Sequence, residues 1–228
     1  MGAAVALAQA GAAVTCAARG AEALGKLVDE LRAQGHTAEA RALDIADVAA
    51  TRRALADAGA FDVVVNSAGL ARHSPALHTT PEDYDAVFGV NTRGAYFFAQ
   101  AAAEAMVAVG RAGSIITISS QMGQVGGVDR AVYAASKHAV EGFTKAMAIE
   151  FGRHGIRINT IGPTFVRTPL TEATFQDPER VAWIAQKIKL GRPGRVEDIM
   201  GAVVFLASDA AALVTGTCLL VDGGWTAG

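Results

Sequence analysis

The sequence predicts an α/β fold in which a doubly wound parallel sheet lies between two layers of helices. Short apolar runs rich in β-branched residues alternate with long alanine-rich stretches, the pattern of strands joined by crossover helices. Several of these runs are apolar throughout, which is typical of strands covered on both faces. With 228 residues and 51% apolar side chains, the chain can bury a core without metals or disulfides. We therefore expect a single domain over residues 1–228.

The predicted strands and helices alternate along the whole chain. Strands are predicted at residues 12–18, 37–43, 61–66, 114–118, 156–161 and 217–221. Helices between and after them are predicted at residues 21–34, 47–57, 82–110, 131–151 and 195–207. The segment 163–194 is rich in Pro and Thr, and we predict that it is an excursion that covers an active site.

The beginning of the chain departs from the usual start of a dinucleotide-binding fold. Residues 1–8 have the composition of a helix that ends before Gly11, with no strand in front of it. A phosphate-binding turn carries several glycines, because backbone amides must approach the pyrophosphate at a helix N-terminus. Only Gly2 resembles a remnant of such a turn, and it is also compatible with a tolerant N-terminal position.

Composition and charge argue against several other classes of protein. The 20 basic and 22 acidic residues form no run of like charge, so no nucleic-acid partner is expected. Neither a membrane span nor a signal peptide is indicated, and we expect a cytoplasmic protein. Cys16, Cys218 and the five histidines show no metal-ligand spacing, so we expect no metal and two buried, reduced cysteines.

Three residues have the types and positions needed for proton transfer at a hydroxyl or carbonyl group. Tyr133 and Lys137 lie four positions apart in a predicted helix, so their side chains share one face. A nearby ammonium favours the phenolate, and Lys137 is therefore expected to lower the pKa of Tyr133. Ser120 follows a strand, at the carboxyl edge where open α/β sheets bind ligands. Tyr-x-x-x-Lys also occurs by chance on solvated helix faces, and of Ser119 and Ser120 one is expected to be structural.

Together with further landmarks, these residues resemble the short-chain dehydrogenase/reductase family, which has a Rossmann-like fold. The resemblance runs over nearly the whole chain and implies that Tyr133 is the acid-base. It implies that Ser120 orients the substrate oxygen, and that Lys137 holds the nicotinamide ribose while lowering the tyrosine pKa. Asn91 matches a helix asparagine that positions a water in the proton relay, or it is an ordinary polar helix residue. The landmarks that carry the match are Asn66-Ser67-Ala68-Gly69, Asn91, Ser120, Tyr133, Lys137 and Pro163.

The same resemblance implies a set of cofactor contacts. Asp44 matches an acid that binds adenine, and Ile45 an apolar wall beside it. The backbone of Val166 and the hydroxyl of Thr168 match groups that bind the nicotinamide carboxamide, in a segment that begins at Pro163. Thr164 replaces the usual glycine after the proline, and Ser67 replaces a common asparagine. The loop beside the adenine ribose is matched by Asn66, Ala68 and Gly69.

The preference between the two nicotinamide cofactors depends on the end of the strand at 12–18. Relatives specific for NAD place an acid there, whereas this chain has Ala18 followed by Arg19. Without the acid, a guanidinium is available to bind a ribose phosphate. We therefore expect NADP(H) to be preferred, with NAD(H) as the alternative cofactor if Arg19 is merely solvated.

Two interpretations of the whole chain follow from the resemblance. The first is an NAD(P)-dependent oxidoreductase acting on a small alcohol or carbonyl substrate of the sugar-acid, polyol or 3-oxoacyl type, assembled as a homo-oligomer, a tetramer or a dimer. The second is a non-catalytic oligomeric scaffold that has lost cofactor binding. The family's first strand lies in mid-sheet, so its absence would leave two unpaired interior edges. We therefore expect the chain to be N-terminally truncated, with Met1 an internal methionine of a longer natural protein.

Overall fold

Parallel strands form the middle layer of the molecule, as the sequence predicts. The computed structural model describes residues 1–168 and 171–228. Each predicted strand is present, with ends that differ by at most two residues from the expected positions. The strands are β1 (Val14–Ala18), β2 (Ala38–Ala42), β3 (Val63–Asn66), β4 (Gly113–Ile118), β5 (Ile156–Pro163) and β6 (Cys218–Val221).

These strands are divided between two sheets. β1 pairs with β2, and a second sheet has the order β3-β4-β5-β6, with every pairing parallel. Within the described residues, no strand pairs with the other edge of β1 or of β3. The two unpaired edges expected from the sequence are thus present.

The helices flank the strands on both faces. Apolar clusters lie on each side of the larger sheet, one built from Ile115 and Ile158 and the other from Ile116 and Ile161. Because both faces of this sheet are covered, the architecture has the three layers that were predicted. The helices are α1 (Gly2–Gln9), α2 (Ala21–Ala33), α3 (Val48–Ala58), α4 (Pro81–Phe88), α5 (Ala95–Ala108), α6 (Ala131–Phe151), α7 (Glu172–Phe175), α8 (Pro178–Lys187) and α9 (Val196–Ala207).

The prediction of one continuous helix over 82–110 is wrong. A π-helical segment, Gly89–Gly94, separates α4 from α5 and contains the buried Asn91. At Gly94 an added Cβ would lie 3.0 Å from the carbonyl oxygen of Ile45, a tight contact with backbone that favours glycine there. Single π-helical turns inside helices are frequent at functional sites.

α1 bridges the two sheets. Ala8 packs in the cluster of β1 and α2, whereas Leu7 packs against the cluster of the larger sheet. At Gly2 the space that a side chain would need is occupied by Val196 of α9. The close approach of these two helices is therefore a structural reason for Gly2.

The described residues bear on three expectations from the sequence, which concern membrane spans, metal sites and the two cysteines. Among the helices found there, none has both the length and the apolar character that a bilayer crossing requires. No group of three metal-ligating side chains occurs in the same residues. Both cysteines are free, but only Cys16 is buried; Cys218, predicted to be buried, is partly exposed on β6.

Candidate active site

Ser120 and Tyr133 meet at the carboxyl end of β4. Ser120 is buried, and its Oγ accepts a hydrogen bond from the backbone N–H of Met122 at 3.1 Å, which caps a short 3₁₀ turn. Tyr133 lies in the first turn of α6. Ser119, the neighbour of Ser120, also lines the site, and its Oγ is buried without a partner among the described residues. Both serines thus lie at the site, and the assignment of the functional role to Ser120 remains a prediction.

Lys137 lies one helical turn after Tyr133 and is 3% exposed. Its Nζ donates a hydrogen bond to the carbonyl oxygen of Ile118 at 3.1 Å and lies 5.8 Å from the centre of the Tyr133 ring. Burial lowers the pKa of Lys137 to about 8, and the charge of Glu141 opposes that shift. The ammonium is therefore close to its titration point near neutral pH.

The pKa of Tyr133 is shifted in the direction opposite to expectation. Burial raises this pKa, while the hydroxyl of Ser120 and the charge of Arg130 act to lower it. Lys137 was expected to supply the lowering charge, but Ser120 and Arg130 supply it in this structure. Because burial dominates, Tyr133 is a neutral phenol at physiological pH.

Asn91 joins the loop after β3 to α6. Its Nδ2 donates to the carbonyl oxygen of Leu70 at 2.9 Å and to the Oγ of Ser136 at 3.1 Å. Its Oδ1 accepts from the backbone N–H of Leu70 at 2.8 Å. Asn91 therefore fixes this loop beside Lys137, and the water relay inferred from the resemblance remains a prediction.

The loop after β3 forms one wall of a cavity of about 160 Å³. Ala68, Gly69, Tyr133 and Lys137 all line it. The Oδ1 of Asn66 accepts from the backbone N–H of Ala68 at 3.0 Å, which holds the turn. The Nδ2 of Asn66 is buried with no partner among the described residues. The structure thus brings this predicted loop and two of the predicted catalytic side chains, Tyr133 and Lys137, to one cavity.

Arg19 and Asp44 meet at the ends of the neighbouring strands β1 and β2. The Arg19 Nη1 lies 4.0 Å from the Asp44 Oδ2, and the side chains are 76% and 46% exposed. Such an exposed pair contributes little to stability. The guanidinium of Arg19 is therefore accessible to an anionic ligand, and Ile45 follows directly.

The hydroxyl of Thr171, a residue that the sequence did not indicate, holds the segment after β5 in place. The hydroxyl of Thr171 donates to the carbonyl oxygen of Val166 at 2.6 Å. The backbone N–H of Thr168 donates in turn to the Thr171 hydroxyl at 3.0 Å. Pro163 ends β5 before this turn, so the path of the segment that follows β5 is fixed. Leu170, a residue of the predicted excursion 163–194, lies outside the described residues.

Two residues near Tyr133, His73 and Arg130, were not indicated by the sequence. The charge of a third residue, Arg180, acts on both of them. The ring of His73 packs edge-on against that of Tyr133, with the ring centres 5.5 Å apart. Arg130 is the N-cap residue of α6, and Arg180 lies on α8. The only sequence signal for Arg130 is its position three residues before Tyr133. His73 and Arg180 have no such signal, because both lie far from Tyr133 in the sequence.

Comparison with known proteins gives consistent matches over the whole chain. A family model described as Enoyl-(Acyl carrier protein) reductase matches residues 1–226. D-erythrulose reductase of Gallus gallus is 40% identical, over 97% of this chain and 89% of that protein. Gluconate 5-dehydrogenase of Gluconobacter oxydans is 37% identical, over 96% of this chain and 87% of the relative.

Solved structures agree with these relatives. A gluconate 5-dehydrogenase from Burkholderia cenocepacia, crystallised with NADP and tartrate, superposes with a TM-score of 0.95 at 36% identity. That match covers 100% of this chain and 90% of the other. Fold, site and relatives together define an oxidoreductase that acts on hydroxyl and carbonyl groups. The chain belongs to the short-chain dehydrogenase/reductase family.

Proposed function

We propose that the protein is an NADP(H)-dependent oxidoreductase that interconverts a hydroxyl and a carbonyl group on a sugar, polyol or sugar acid. The observation that carries the proposal is that Tyr133 and Lys137 line the same cavity, with Ser120 beside the phenol. It is supported by relatives named for erythrulose, xylulose and gluconate. Substrates of the 3-oxoacyl type are the alternative, favoured by the match to the Enoyl-(Acyl carrier protein) reductase family model.

In this proposal, Tyr133 is the acid-base. Since burial raises its pKa, the phenol is protonated and donates its proton to the carbonyl oxygen during reduction. Ser120 donates a hydrogen bond that orients the same oxygen. Lys137 holds the nicotinamide ribose, and Asn91 supports the relay that replaces the proton. The bound nicotinamide supplies the hydride.

The described residues fit a dinucleotide cofactor at most of the expected points. Ala68 and Gly69 leave room along the cavity wall, and the unpartnered Nδ2 of Asn66 can donate to a ligand. Arg19 is accessible to a ribose phosphate. Around the adenine we assign Asp44 and Ile45, and around the carboxamide Pro163, Val166 and Thr168. The pyrophosphate is assigned to the start of α1 at Gly2, where backbone amides are free.

The unpaired edges of β1 and β3 favour a second candidate function, an oligomeric scaffold without cofactor binding. In the family's fold, a strand between these edges carries the phosphate-binding turn, and the described residues place no strand there. A scaffold would assemble as a dimer or tetramer, and exposed apolar side chains such as Ile149 and Leu213 are available for such contacts.

Titration with NADPH separates the two functions. We expect saturable binding, followed by NADPH oxidation with at least one compound from a panel of L-xylulose, D-erythrulose, 5-keto-D-gluconate and 3-oxoacyl thioesters. A folded protein that binds no NADPH would favour the scaffold. Binding without turnover of any compound would overturn the substrate assignment.

A further inference from the structure

The ring of Tyr133 packs against that of His73, a residue of the loop after β3. The two rings are nearly perpendicular, with an interplanar angle of 86° and with their centres 5.5 Å apart. Tyr133 and Ala71 both line the cavity of the candidate active site. Because His73 follows Ala71 by two residues and packs on Tyr133, its imidazole lies at the rim of that cavity.

Two side-chain contacts hold the loop on either side of His73. Arg72, the residue before it, lies 2.7 Å from the carboxylate of Asp83 on α4. The hydroxyl of Ser74, the residue after it, lies 3.0 Å from the hydroxyl of Thr79. The imidazole is thus presented to the cavity by an anchored segment, which a side chain that orients a ligand requires.

The ring nitrogens of His73 differ from those of two other histidines in their hydrogen bonds. The Nδ1 of His138 lies 2.9 Å from the carbonyl oxygen of Ala134, and the Nε2 of His154 accepts from the Nε of Arg153 at 3.2 Å. Within the described residues, neither nitrogen of His73 has a hydrogen-bond partner. Since His73 as a whole is exposed, these nitrogens are available to a ligand.

The imidazole of His73 is neutral at physiological pH. Partial burial of the ring lowers its pKa to about 4, the charges of Arg130 and Arg180 act in the same direction, and that of Asp129 opposes them. A neutral imidazole has one N–H donor and one acceptor nitrogen. It therefore complements a hydroxyl group, which donates and accepts, better than a carboxylate, which only accepts.

We propose that His73 binds a substrate hydroxyl on a carbon next to the reacting carbonyl group, so that the enzyme selects hydroxylated ketones. The inference rests on the proposed function, because it concerns the site at which Tyr133 meets the carbonyl oxygen. A carbonyl oxygen held by the Tyr133 hydroxyl brings the carbons that flank it towards the packed imidazole. His73 takes no part in the hydride or proton transfer.

Kinetics with two ketones that differ by one hydroxyl test this assignment. NADPH-dependent reduction of 1-hydroxy-2-butanone and of 2-butanone is measured for the wild type, His73→Phe and His73→Gln. Phenylalanine keeps an aromatic ring to pack on Tyr133 but has no hydrogen-bonding nitrogen, whereas glutamine keeps a donor and an acceptor without the ring. His78→Phe is the matched control, since His78 is an exposed histidine of the same loop.

The variants are expected to separate the two ketones. His73→Phe should lower kcat/KM for 1-hydroxy-2-butanone by about 3- to 15-fold, chiefly through KM, as expected for the loss of one hydrogen bond between neutral groups. Its effect on 2-butanone should stay below about 2-fold. His73→Gln should restore part of the KM for the hydroxylated ketone, and His78→Phe should match the wild type with both ketones.

Binding of the product alcohols gives a second readout that needs no turnover. The complex of the protein with NADP⁺ is titrated calorimetrically with 1,2-butanediol and with 2-butanol. Only the binding of the diol should weaken in His73→Phe. The Kd for NADPH should be the same in every variant, because His73 is not among the residues assigned to the cofactor.

Two outcomes would overturn this proposal while leaving the proposed function intact. One is an equal change in kcat/KM for both ketones in His73→Phe, which would make His73 a support for the Tyr133 ring. The other is turnover of L-xylulose together with equal binding of the diol by the wild type and His73→Phe. A wild type that binds no NADPH would overturn both proposals.

Discussion

Two opposing influences determine the pKa of Lys137. Burial lowers its pKa to about 8, while Glu141, one turn further along α6, raises it. Glu141 is itself buried, and the hydroxyl of Thr160 lies 2.8 and 3.0 Å from its two carboxylate oxygens. The carboxylate is thus anchored to β5, and it supports the charged form of Lys137 near neutral pH.

Replacing Glu141 should therefore change the pH dependence of the reaction. In Glu141→Gln the negative charge that raises the pKa of Lys137 is lost, so this pKa falls further below about 8. If the ammonium is the active form, the alkaline limb of kcat moves to lower pH. Glu150→Gln, an exposed change on the same helix, is the control. An unchanged alkaline limb in Glu141→Gln would show that Glu141 does not act on Lys137.

Arg19 should determine the preference for NADPH. Its exposed guanidinium, 4.0 Å from Asp44, is free to pair with a ribose phosphate. We expect Arg19→Gln to lower kcat/KM for NADPH by about 10-fold or more while changing that for NADH less than about 3-fold. The ratio of the two efficiencies measures the effect. A wild-type preference for NADH would contradict the assignment.

At the residue scale, the sequence predicts side chains that share one element and misses those that different loops bring together. Tyr133 and Lys137 follow from helical spacing, and Ser120 from its position after a strand. The direction of the Tyr133 pKa shift could not be predicted, because it depends on burial in the tertiary structure. His73 had no local signal for the same reason.

At the scale of single elements, α9 depends on an acidic group in its first turn. The Asp198 Oδ2 accepts from the backbone N–H of Arg195 at 2.7 Å, and its carboxylate forms a two-point ion pair with Arg192. Hydrogen bonds from Arg192 and Arg195 hold the pKa of Asp198 well below its ordinary value. α9 packs on α1 and on the larger sheet, so this cap supports the core.

Removal of the Asp198 charge should destabilise the protein by about 1 kcal/mol at pH 7, a typical cost for losing a helix cap. A lowered folded-state pKa contributes stability above the unfolded value of about 4, and that contribution is lost as the pH falls. The difference between wild type and Asp198→Asn should therefore shrink at acidic pH. Urea unfolding at pH 7 and pH 4 measures it, with the exposed Asp29→Asn of α2 as control. A difference that grows towards pH 4 would contradict the charge-based explanation.

The π-helical interruption of 82–110 shows why some boundaries were missed. The local composition is helical throughout, and only Gly89 and Gly94 break it. The interruption depends on Asn91, which bonds to Leu70 and Ser136, and on contact of Gly94 with Ile45. These partners are distant in sequence, so helical periodicity alone could not predict them.

At the scale of the whole molecule, the positions of the strands could be predicted from the sequence. Most of their order follows from the predicted fold class. Apolar runs define β1 to β6, and parallel pairing follows from the intervening helices. The division into β1-β2 and β3-β4-β5-β6 agrees with the expectation of two unpaired interior edges. The single domain and the homo-oligomer remain predictions.

We propose that Tyr133 transfers the proton at a site that binds NADPH. The direct measurement compares kcat for reduction of the preferred substrate with the Kd for NADPH in wild type, Tyr133→Phe and the control Tyr84→Phe, an exposed tyrosine of α4. We predict that Tyr133→Phe loses at least about 100-fold in kcat, the scale of general acid catalysis, while its Kd for NADPH changes less than about 3-fold. Tyr84→Phe should match the wild type. A Tyr133→Phe variant that keeps wild-type kcat would contradict the account.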